Sequence, residues 1–303
     1  IRRRGAVTAR STEASTPLVM GPGGSITVGS YLIVRVAADN SGTNGAAPTL
    51  GVTDPRGNTW TVLGPALNDP GAATEGTACF IAYTKVVNAY TDGDTLGLDW
   101  SPNVVAKAAV VEEWANIHAT NPVAVSAVTA SGTSTTPSVS LTATAPGQVV
   151  YAAVAIEGPE SDTYTEDADT TDGVWTSITW QPTGPAGVAT DNQIIAGAYK
   201  EVTAAGAQTW TPTITSRDWA TVGVVWQTSG IWPVAAVASV PSVTVGAGSG
   251  VTPSTVAAVA TVPAPTGTAQ ASAPISAAGV AAVFTVGRVV TTNLESTIGS
   301  LVA

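Results

Sequence analysis

From Leu18 onward, apolar residues recur at every second position in short runs separated by Gly, Pro, Asn and Asp. A period of two bounded by such residues predicts strands and turns. Gly21-Pro22-Gly23-Gly24 reads as a turn, and Ile26 and Val28 alternate with polar neighbours. In Tyr31–Ala38, Leu32, Val34 and Val36 fall on one face, with Tyr31, Ile33 and Arg35 on the other. Leu50-Gly51-Val52 and Trp60–Leu63 flank Thr53-Asp54-Pro55-Arg56-Gly57-Asn58. Pro presets φ there while Gly and Asn accept positive φ, so a hairpin is predicted. Further strands are predicted at Phe80–Val87, Thr95–Trp100, Val104–Trp114, Ser138–Leu141, Val149–Ile156, Val174–Trp180, Gln193–Val202, Thr209–Ile214 and Trp219–Gln227. In the last of these, Ala220, Val222, Val224 and Trp226 share a face.

The stretch Ala78–Trp114 has a second version ending at Trp226. Lys85 to Lys200 and Trp60 to Trp175 are each separated by 115 positions, Gly29 to Gly147 by 118, and Trp114 to Trp226 by 112. A shared order of landmarks with a small drift indicates two related strand-rich units. The predicted fold is all-β: an antiparallel, jelly-roll-like sandwich built from halves 18–130 and 131–230. An extended basic arm (1–17) and an extended arm rich in Val, Ala and Pro (231–303) flank it.

Composition narrows the classes of function. With 44% hydrophobic and 11% charged residues the chain is no disordered polyelectrolyte. A net charge of −10 and a pI near 4.4 argue against nucleic-acid binding. Cys79 is the single cysteine, so an internal disulfide and a CxxC site are excluded; its apolar setting predicts an inert buried thiol. Arg2, Arg3, Arg4 and Arg10 place four of the eleven basic residues in an aperiodic first segment. That segment reads as an arm docked on a neighbouring subunit, not as a signal peptide, because no apolar core follows the arginines.

Charge disappears near the other end. No charged residue lies between Asp218 and Arg288, and after Trp232 only Arg288 and Glu295 carry charge. VAAVASVP at Val234–Pro241 recurs as VAAVATVP at Val256–Pro263. Pro233, Pro241, Pro253, Pro263, Pro265 and Pro274 interrupt every window of the ~20 apolar residues that a membrane helix needs. Exposed Val and Ala cost about 25 cal/mol per Å². An extended assembly arm is therefore predicted, its apolar contacts made by Val234, Val237, Val240, Val256, Val259 and Val262.

Candidate chemistry is sparse. His118 is the only histidine and no Gly-x-Ser-x-Gly elbow occurs, so no hydrolytic triad is predicted. Glu112 and Glu113 are adjacent on a strand and point to opposite faces, unlike a glycosidase pair. Neither Gly21-x-Gly23-Gly24 nor Gly246-x-Gly248-x-Gly250 lies between a strand and a helix, so neither cradles phosphate. Seven acids crowd 157–172, of which Glu166, Asp167, Asp169 and Asp172 form a calcium candidate without EF-hand spacing. Among nine tryptophans, Trp180 and Trp210, beside Pro182 and Pro212, are the candidates for exposure and glycan contact; Trp114 and Trp226 are predicted core. No catalytic residue and no cofactor is predicted, and the chain reads as a non-enzyme.

The β region carrying Thr53–Trp60 and closing with Trp219–Trp226, together with the charge-free VAAVASVP/VAAVATVP tail, resembles minor tail proteins of long-tailed bacteriophages infecting actinobacteria. The resemblance implies a virion structural role near the tail tip, in a protein made in the host cytoplasm. It implies a homo-oligomer, a trimer by the threefold habit of such proteins, with other tail proteins and a host-envelope glycan as partners. A carbohydrate-binding module and a capsid decoration protein are the alternatives.

Overall fold

A computed structural model of the chain describes residues 2–13, 17–39, 47–69, 71, 75–184 and 187–229. The segment 231–303, with the six arm valines, lies outside the described residues, as do the side chains of Arg2 and Arg4. Eight strands make the first half: β1 Arg2–Ser11, β2 Leu18–Met20, β3 Tyr31–Asp39, β4 Thr49–Thr53, β5 Thr61–Asn68, β6 Thr77–Lys85, β7 Leu96–Ser101 and β8 Lys107–Ala115. Nine make the second: β9 Val123–Ser134, β10 Val139–Ala143, β11 Val149–Glu157, β12 Tyr164–Thr165, β13 Thr176–Pro182, β14 Gln193–Glu201, β15 Gly206–Trp210, β16 Thr213–Ile214 and β17 Arg217–Trp226. The architecture is antiparallel β among the described residues, apart from a 3-10 turn at Ala189–Asp191, as the period-two pattern predicts. Among the described residues no helix is long and apolar enough to cross a membrane.

The strands stack in four layers. A three-stranded sheet β2-β7-β4 covers one face of the five-stranded sheet β1-β8-β3-β6-β5. The other face of that sheet packs on a second five-stranded sheet, β13-β14-β11-β17-β9, whose far side is covered by β10-β15 and β12-β16. Each half thus has its own outer core, and the two large sheets share a third. In β3, Leu32, Val34 and Val36 face the outer core while Tyr31, Ile33 and Ala37 face the shared one. All nine residues of β3 and of β11 are buried, which explains why these runs are apolar on both faces. Burying each large aliphatic side chain contributes about 1.5–3 kcal/mol.

The halves are topological copies. β1, β8, β3, β6 and β5 correspond to β9, β17, β11, β14 and β13, with one strand order running through both sheets. Contacts between the sheets are reciprocal: β1 meets β13 where β5 meets β9, and β3 meets β14 where β11 meets β6. This is the pattern of an isologous dimer fused in one chain, with a pseudo-twofold axis through the shared core.

Four predictions are corrected. The segment 54–60 is not a hairpin turn, because β4 pairs with β7 and β5 with β6, so it crosses from one sheet to another. It is pinned by side chains: Asp54 accepts hydrogen bonds from Trp60 Nε1 (2.8 Å) and the Tyr90 hydroxyl, and Asn58 Oδ1 accepts from the amides of Val87 and Asn88. Residues 2–11 are not an arm on a neighbouring subunit; they form β1, an edge strand paired with β8 of the same chain. The second sheet takes β9, which pairs with β17, so the second half starts at Val123 and not at 131. Lys85 and Lys200 are not equivalent. Tyr31 and Val149 hold matching places beside Trp114 and Trp226, and their partners on β6 and β14 are Lys85 and Glu201. That slip of one residue puts Lys85 on a half-exposed face and Lys200 in the core.

Candidate functional site

The shared core contains a charged group in an otherwise apolar setting. Arg35 lies midway along β3 and Glu112 along β8, both side chains fully buried, with Arg35 Nε 3.7 Å from Glu112 Oε2. Arg3 of β1 brings Nε to 2.7 Å from Glu112 Oε1, and the Tyr151 hydroxyl of β11 donates to Oε2 at 2.6 Å. Burial pushes the Tyr151 phenol well above its ordinary range, and the neighbouring carboxylate raises it further. Glu112 is therefore an ion-paired core carboxylate. Glu113, on the opposite face, accepts a hydrogen bond from Ser30.

Besides Tyr151, this cluster touches the second sheet at Thr179 of β13. Arg35 Nη2 donates to the Thr179 carbonyl at 2.7 Å, and Arg3 Nη2 to Thr179 Oγ1 at 3.3 Å. Thr179 and Trp180 form a β-bulge in β13, where the register on β14 jumps between Ile178 and Gln181. A bulge bends its strand and re-aims a side chain. The residue re-aimed here is Trp180. Its indole is stacked on Tyr164 (6.5 Å between centroids, 19° between planes), and the Tyr164 hydroxyl is held by Glu166 at 3.0 Å.

Trp180 lines an open cleft of about 500 Å³ at the edge where β1 lies over β13. Thr8 and Arg10 line it from β1, Gln181 and Pro182 from β13, and Glu160 from the turn after β11. Arg10 and Glu160 are exposed, and Arg10 Nη1 reaches the Pro182 carbonyl at 3.4 Å. The cleft holds an aromatic plate, a guanidinium, a carboxylate and an amide, with no histidine or cysteine. It can bind by stacking and hydrogen bonding, and it contains no nucleophile–base pair. Comparison with protein-family models, curated proteins and solved structures finds no match for this chain.

The other candidate residues have different uses. Trp210 is fully buried, donating Nε1 to Glu166 Oε1 at 2.6 Å, so it offers no surface to a glycan. The calcium candidates are turned onto donors of their own chain. Glu166 accepts from Trp210, Tyr164 and Ser177; Asp167 accepts from the amides of Asp169 and Thr211. Asp169 accepts from the Thr171 amide and pairs with buried Lys200 at 2.8 Å, which with the amide bond holds its carboxyl well below the usual range. Asp172 accepts from Gln208. The acidic stretch is a lid that neutralises Lys200, itself 5.1 Å over the Trp175 ring. Among the described residues no group of three or more His, Cys, Asp or Glu is placed to hold a metal ion. His118 sits in a loop, its Nδ1 accepting from the Asn121 amide at 3.1 Å. Cys79 is buried, and desolvation pushes its thiol up to about 12.

Of the arginines, Arg3 is a member of the buried cluster and Arg10 of the cleft. Sequence reasoning singled out Arg10 and Trp180 separately; the fold brings them to one cleft. Glu160 stood out only as one of the seven crowded acids, and Gln181, which carries no local signal, was missed. Arg35 did carry one, being a cation within the otherwise apolar run Tyr31–Ala38.

Proposed function

We propose that this chain is a virion structural protein of the minor-tail kind, acting through subunit assembly in the tail and not through catalysis. The observation that carries the reading is compositional: residues 233–303 hold two charges, Arg288 and Glu295, and a repeated Val/Ala/Pro octet. Val and Ala at that density need cover, and neighbouring copies provide it, with Val234, Val237, Val240, Val256, Val259 and Val262 as the contacts. A homotrimer is the proposed state, built into the tail beside other tail proteins after synthesis in the host cytoplasm. The pseudo-twofold body supports the reading as a platform in which buried Arg35 and Lys200 are paired with Glu112 and Asp169 of the same chain.

The test uses the full chain. Light scattering after size exclusion is expected to give an oligomer, and Val237→Asp with Val259→Asp is expected to shift it to monomer. A monomeric wild type refutes assembly through this segment. Gold-labelled antibodies on particles are expected to mark the tail tip; labelling spread over the capsid supports decoration instead.

A further inference from the structure

We infer that the cleft between β1 and β13 is a binding subsite for a neutral pyranose sugar, stacked on Trp180 and hydrogen-bonded by Arg10, Glu160 and Gln181. The inference stands on the body alone and does not depend on the place of the chain in a particle.

The pseudo-twofold axis supplies an internal control. β5 carries a bulge at the same place as β13, its register on β6 jumping between Leu63 and Ala66. Gly64-Pro65 there corresponds to Thr179-Trp180. On the β5 side the seam is shut. A Cβ on Gly64 would lie 2.8 Å from the Cys79 carbonyl oxygen and 3.3 Å from the Val222 side chain, and Asn68 donates across the seam to the Gly132 carbonyl of β9. On the β13 side Thr179 stands at the Gly64 position and the large aromatic Trp180 at that of Pro65, and the seam stands open. The two halves share strand order and bulge, so the opening comes from the residues placed there and not from the fold.

The aromatic plate is also held in advance of any ligand. Arg35 and Arg3 fix the Thr179 half of the bulge, and Tyr164, tied to Glu166, backs the indole. Rigid presentation lowers the ordering cost of binding. An indole plate suits the C–H face of a pyranose, while a guanidinium donor, a carboxylate acceptor and an amide oxygen suit ring hydroxyls. Gln181 gives its amide nitrogen to the Pro182 carbonyl at 2.7 Å, which fixes the orientation of its oxygen. One positive and one negative side chain line the cleft, so it has no bias toward an anionic ligand.

The test is saturation-transfer NMR and calorimetry on the full chain. The probes are methyl glycosides of glucose, galactose and mannose, cellobiose, lactose and maltose, with methyl glucuronide as the anionic comparison. At least one neutral sugar is expected to bind, and Trp180→Ala is expected to weaken it about tenfold or more. Arg10→Ala and Glu160→Ala, both at exposed positions, keep the test independent of folding and are each expected to weaken the same sugar. Binding by no neutral probe, binding unchanged in all three variants, or tighter binding of the glucuronide would overturn the proposal.

Discussion

Replacing Glu112 by Gln keeps the shape of the side chain and removes its charge. Arg35, fully buried beside it, then loses its counter-ion, while the Tyr151 hydroxyl can still donate to the amide oxygen. Breaking a buried pair by neutralising one member costs about 3–5 kcal/mol, because the remaining charge stays desolvated. A body of this size loses about 2–4 °C in Tm per kcal/mol, so the variant is expected to melt about 6–20 °C lower by circular dichroism of the full chain. Arg35→Met alone is expected to cost a similar amount, leaving Glu112 with Arg3, which is 24% exposed. The double variant Glu112→Gln, Arg35→Met is expected to be more stable than the sum of the two by about 2 kcal/mol or more, since neither charge is stranded. Arg35 Nη1 finds no hydrogen-bond partner among the described residues, so the pair is imperfectly satisfied and its joint removal is tolerable. Additive effects in the cycle, or a single variant within 2 °C of wild type, would refute the coupling of these charges within the shared core.

Two further outcomes follow from the same structure. Glu157, buried at the end of β11, has its carboxyl pushed up to about 7 from 4.5, by desolvation first, against the Gly76 amide bond, and then by Asp218 and Glu75. The folded state therefore holds this proton longer than the unfolded one, so the contribution is greatest below pH 4.5 and is lost as pH rises toward 7, a change of about 3 kcal/mol at most. Glu157→Gln is expected to flatten the Tm between pH 5 and pH 8 and to raise it at pH 8; an unchanged pH profile in the variant counts against the assignment. Gly197 of β14 passes so close to its neighbours that an added Cβ would lie 2.5 Å from the Ala152 carbonyl oxygen and 2.7 Å from Arg35 Nη1. Gly197→Ala is expected to cost about 1–3 kcal/mol or more in denaturant unfolding, and a neutral result would show that β11 and β14 can separate freely there.

Most strands were legible because alternation and turn residues are local properties: β3, β11 and β17 appear in the sequence nearly as they do in the fold. β1 was not, since RRRGAVTARS shows no alternation and its pairing with β8 spans a hundred residues of chain. The hairpin predicted at 54–60 failed for a related reason. Turn residues fix how sharply the backbone bends, not which sheet receives the next strand; Asp54 and Asn58 settle that by bonding to Trp60, Tyr90 and the 87–88 amides.

The duplication could be read from Trp114 and Trp226, but the true register could not, and Lys85 against Lys200 was off by one residue. The sequence by itself determined the all-β class, the paired halves, the inert thiol and the aromatic core. Only the tertiary structure decided that the large sheets face each other, that Trp210 is covered while Trp180 lines a cleft, and that the acidic stretch caps Lys200. Those outcomes depend on which faces meet across the pseudo-twofold axis. Sheet-on-sheet contact is made between residues far apart in the chain, and no short window of sequence records it.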